Sequence, residues 1–75
     1  MTRLPRIPGK DLLAVLKKAG FKEINIEGSH HQLHRPGSRL VTVPVHRKET
    51  LPPKTLKSII EQANLTVDQL FELLK

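Results

Sequence analysis

The sequence predicts an α+β domain of order α-β-β-β-α-α, with three antiparallel strands and the helices covering one face of the sheet. Three observations carry this prediction. Leu12, Val15, Leu16 and Ala19 repeat at helical spacing, and so do Leu56, Ile59, Ile60 and Ala63. From Phe21 the apolar period changes to alternation, the mark of a half-buried strand. At 75 residues the chain buries only about 60% of the surface it exposes when unfolded, which leaves room for one core and one domain, residues 1–75.

The first eight residues hold two prolines and no periodicity, and a loose arm is expected there. The first helix runs from about Lys10 to Ala19, and Gly20 supplies the left-handed residue that stops it. Ile24 and Ile26 alternate with Glu23, Asn25 and Glu27 to form the first strand, which Gly28-Ser29 ends in a turn. A second strand, His30 to Arg35, leads through Pro36-Gly37-Ser38 into a third, Arg39 to Pro44.

After a linker over 46–50, Pro52-Pro53 can open the second helix, because first-turn N–H groups have no helical partner in any case. Asn64 follows where a left-handed residue belongs. Thr66-Val67-Asp68-Gln69 reads as a capping box, with Leu65 and Leu70 as its hydrophobic staple. Val67, Leu70, Phe71 and Leu74 form the stripe of a C-terminal helical extension over 66–74.

Composition narrows the function classes. Without cysteine there is no disulfide framework and no thiolate metal site, so packing alone must hold the fold. No apolar run approaches the ~18 residues of a membrane span, nor does the N-terminus resemble a signal peptide; a soluble cytoplasmic protein is expected. The net charge of +6 favours polyanionic partners, nucleic acid first among them. Only Phe21 and Phe71 are aromatic, which disfavours modules that stack unpaired bases on rings. Residues 1–57 carry 12 Lys and Arg against 4 Asp and Glu, +8, whereas residues 58–75 carry 1 against 3, −2. Charge alone fits an ordinary solvated surface as well as a binding site.

Three of four histidines fall in His30-His31-Gln32-Leu33-His34. If Gly28-Ser29 pairs Glu27 with His30, Ile26 faces His31 and Ile24 faces Leu33. A three-residue loop at 36–38 then sets Leu33 against Val41 and His31 against Val43. One sheet face reads Ile24, Ile26, His31, Leu33, Val41, Val43 and is the expected core; the other carries Glu23, Asn25, Glu27, His30, Gln32 and His34. His31 is therefore the structural imidazole, bonded to backbone in the core or at its edge, and His30 lies on the open face.

On this register His46 lies beyond Pro44 on His30's side, about 7 to 8 Å away diagonally. Glu27, directly opposite His30, is placed to orient the imidazole, although exposed cross-strand pairs of this kind often contribute little. His30 and His34 would be about 13 Å apart along a strand, too far to share a metal ion. Neither a metal site nor a cofactor is expected.

The Gly28-Ser29-His30-His31 step resembles the HicA toxins, small ribonucleases of type II toxin–antitoxin pairs. The resemblance spans about residues 8 to 65. It also takes in Gly9-Lys10 with Leu12, Lys18-Ala19-Gly20-Phe21, Val41-Thr42-Val43-Pro44 with His46, and Leu51 with Thr55-Leu56-Lys57-Ser58-Ile59. It implies a double-stranded-RNA-binding-domain-like fold, α-β-β-β-α, with the C-terminal helix as an addition. It also implies an mRNA-cleaving toxin whose catalytic histidine is the first of Gly-Ser-His, here His30, and a HicB-type antitoxin that covers the active surface. Lys54 and Asn64 stand where the family commonly has glycine, and neither change touches His30.

The expected chemistry is cleavage without metal, with His30 moving protons and His46 and Glu27 as candidate helpers. Lys10, Arg47, Lys48, Lys54 and Lys57 are the candidate phosphate contacts, and Gly28 and Ser29 shape the turn. Two other readings fit the same residues: a non-catalytic RNA-binding module of this fold, and an adaptor for an acidic protein.

Overall fold

The computed structural model describes residues 4–46 and 49–75. Its elements follow the expected order: α1 (Gly9–Lys18), β1 (Lys22–Glu27), β2 (His30–His34), β3 (Val41–Pro44), α2 (Pro53–Gln62) and α3 (Val67–Leu74). The strands form one antiparallel sheet in the order β1-β2-β3. This is the predicted α+β architecture.

Both long helices end as their sequences dictate. Gly20 (φ 97°) and Asn64 (φ 60°) take the left-handed position. The next N–H reaches back to the third-last helical carbonyl, Phe21 to Leu16 at 3.0 Å and Leu65 to Ile60 at 2.8 Å. These are Schellman motifs, and each satisfies carbonyls the helix end would leave unpaired. At α3 the capping box closes, with Gln69 N–H donating to Thr66 Oγ1 at 3.1 Å and Thr66 N–H to Gln69 Oε1 at 2.8 Å.

The core joins Leu12, Val15 and Leu16 of α1, Leu33, Val41 and Val43 of the sheet, Leu56 and Ile60 of α2, and Leu70 of α3. Ile24 and Ile26 were expected in it, yet they are 58% and 54% exposed. The cause is twofold. A β-bulge between Glu23 and Asn25 inserts Ile24 as an extra residue, so Glu23, not Ile24, pairs with Leu33. Further, β1 is an edge strand: α2 packs on β3 at the other edge, α1 touches both edges, and Ile24 and Ile26 stay uncovered.

Three smaller expectations also change. The arm is docked at its end: Ile7 is buried, its carbonyl accepts from Leu51 N–H at 2.8 Å, and Pro8 bridges Thr50. Arg35 and Arg39 lie outside the strands, because Arg35–Ser38 is a turn closed by Ser38 N–H on Arg35 C=O at 2.9 Å. Pro36 and Gly37 (φ 79°) occupy its centre as a type II turn requires. On α3, Phe71 is 37% exposed, and Leu73 packs against the core together with Val67 and Leu74.

Candidate active site

The pairing of β1 with β2 holds Glu27 opposite His30, and β2 with β3 holds His30 opposite Pro44. Gly28 (φ 60°) makes the tight turn possible, at the first central position where a II′ hairpin needs a left-handed residue. The ladder continues one step further, Val45 N–H donating to Ser29 C=O at 2.7 Å, and His46 follows directly.

Gly9 brings the first helix to this end. It is buried, and a Cβ there would overlap the carbonyl oxygen of Pro44, so only glycine lets α1 start against β3. The second helix starts nearby: Pro44, His46, Glu49, Leu51, Pro52 and Thr55 are among the residues that line a cleft of about 320 Å³. The N-termini of α1 and α2 therefore lie at the same end of the molecule as the His30 turn. Their dipoles favour an anion at that end, against the exposed carboxylates of Glu27 and Glu49.

Arg35 fastens the opposite end. Its guanidinium stacks 4.7 Å from the Phe21 ring centroid and donates through Nη1 to Ala19 C=O at 2.9 Å and through Nη2 to Ala63 C=O at 3.5 Å. Ala19 and Ala63 are the C-caps of α1 and α2, so one cation serves the negative ends of both helices.

His30 is exposed, as are Glu27, His46, Lys10, Lys54 and Lys57. Lys10 and Lys54 each stand second in their helix, at the His30 end; Lys57 is one turn further along α2. Arg47 and Lys48 lie outside the described residues. No hydrogen bond or ion pair joins Glu27 to His30 among the described residues.

The carboxylate–imidazole pair that does form was missed from the sequence. His31 Nδ1 lies 2.6 Å from Glu23 Oε2, with the side chains 20% and 24% exposed. Glu23 was expected on the open face, and the bulge turns it to His31's side. A bulge leaves no reliable trace in an alternating pattern, so nothing in the residues announced this pair. His31 is half-buried as expected of the structural histidine, but a carboxylate and not the backbone holds it.

Among the described residues, no group of three His, Asp or Glu side chains converges as metal ligands, and no helix is long and apolar enough to cross a membrane. The fold and this end define a class: a small α+β domain with an exposed histidine beside two helix N-termini and their lysines. A sequence model of the HicA toxins, described as "HicA toxin of bacterial toxin-antitoxin", matches residues 9–65. The chain belongs to the HicA toxin family, and its role is that of a toxin with an antitoxin partner. No curated protein matches it. The matched region stops just before α3.

Proposed function

We propose that this toxin is an endoribonuclease that cleaves mRNA by histidine acid–base catalysis without a metal ion, and that a HicB-type antitoxin silences it by covering the His30 face. The observation that carries this reading is the position of His30: exposed, at the first residue of β2, and at the end where Lys10, Lys54 and both helix N-termini gather.

The mechanism follows from that placement. His30, unprotonated, takes the proton of a ribose 2′-OH, and the freed oxygen attacks the adjacent phosphorus. The 5′-oxygen of the next nucleotide leaves with a proton from a second group, for which His46 is the nearest candidate by register. Lys10, Lys54 and Lys57, with Arg47 and Lys48, hold the phosphates and offset charge that builds on the phosphorane oxygens. Glu27 stands opposite His30 in the ladder without bonding its ring, so the ring is free to meet the substrate.

Induced expression tests the reading directly. The wild type arrests growth, the His30→Ala protein does not, and a cognate antitoxin restores growth. Arrest by the His30→Ala protein would favour a non-catalytic RNA-binding module or an adaptor. Replacement of His46 by Ala is expected to slow cleavage by about 10²- to 10⁴-fold if it donates the second proton.

A further inference from the structure

A cavity of about 480 Å³ opens at the end remote from His30, where the β2–β3 turn meets the second half of α2. Its walls include Arg35, Ser38, Arg39, Ser58, Glu61 and Gln62, and no aliphatic or aromatic side chain. With Asn64 counted, two guanidinium groups, two hydroxyls and two amides are a donor set for an oxyanion. The lining offers no apolar or aromatic side chain on which a protein partner could anchor.

Gln62 Nε2 donates to Ser58 Oγ at 3.4 Å, and the other donors keep capacity to spare. Arg35 uses two of its five N–H groups on Ala19 and Ala63. Arg39 is exposed and has no ion-pair partner among the described residues. The Ser38 hydroxyl is buried without a hydrogen-bond partner among them, the kind of unmet group that a bound ligand can satisfy. Glu61 opposes the two arginines and leaves the lining at +1.

Position links this cavity to the proposed site. The His46 cleft reaches Thr55 near the start of α2 and the Arg39 cavity runs from Ser58 to the helix's last turn, so the two open on successive parts of a helix about 15 Å long. Lys54 stands exposed at the His46 end of the helix and Lys57 between the two sites. We infer that the Arg39 cavity seats a phosphate of the RNA backbone, so that the toxin grips its substrate at two separated points. This rests on the ribonuclease reading and extends it: RNA long enough to span α2 is held more tightly than a dinucleotide.

The test is fluorescence anisotropy with labelled 2′-O-methyl RNA, which lacks the 2′-OH needed for cleavage, in a length of about ten nucleotides and as a dinucleotide. Arg39→Glu should weaken binding of the longer RNA about tenfold and lower the salt slope by about one phosphate contact, ~0.7. Arg39→Lys should retain most of the affinity. Glu61→Gln should tighten binding about two- to threefold, an outcome that a folding defect cannot produce. The dinucleotide should respond to none of these changes. Unchanged affinity and slope in both Arg39→Glu and Glu61→Gln, over a parent that binds RNA, would overturn the inference alone. So would a loss confined to antitoxin binding. Failure of the parent to bind any RNA would overturn the ribonuclease reading, and this inference with it.

Discussion

His30 and His31 are adjacent in the chain and sit on opposite faces of the sheet, and simple strand alternation was enough to tell them apart. The carboxylate was harder to place. Glu27 faces His30 across the turn without bonding it, whereas Glu23 reaches His31 only because one extra residue at Ile24 reverses its side. A double-mutant cycle of Glu23→Gln and His31→Ala should show a coupling of about 1 kcal/mol by denaturant melting, against near zero for Glu27 and His30. Gly9 was legible as a family residue but not as a contact. Its role depends on how closely α1 approaches Pro44, a tertiary distance that no local pattern encodes. Gly9→Ala should cost about 1 to 3 kcal/mol through overpacking, read as a lower denaturation midpoint with an unchanged m-value.

At the scale of elements, helix ends were the most legible features, because caps are local chemistry. Gly20, Asn64 and the Thr66–Gln69 box all act as their residue types require. Thr66→Ala should lower stability by about 1 kcal/mol. Burial was less legible, since it depends on which element covers which. Ile26 alternates correctly and remains exposed because it lies on the edge strand farthest from α2. Phe71 fits the α3 stripe and yields its place to Leu73. The Arg35 link spans 16 residues to Ala19 and 28 to Ala63, separations beyond any sequence pattern. Arg35→Ala should destabilise by about 1 to 3 kcal/mol in thermal melts, and Lys should recover only part, lacking the fork that reaches two carbonyls.

For the whole molecule, the uneven charge has a spatial counterpart. The acidic surplus of residues 58–75 falls on the later part of α2 and on α3, and the first 57 residues hold the +8. The end with His30 gathers two helix N-termini, and the other end gathers their C-termini around Arg35. Family membership makes the chain a toxin. The central claim is that His30 does the toxin's chemistry on RNA. It is tested most directly by incubating labelled mRNA with purified wild type and His30→Ala protein, in a metal chelator, after their melting temperatures have been matched. The account predicts cleavage by the wild type and a rate at least about 10²-fold lower for His30→Ala. Equal cleavage by the two folded proteins would contradict it.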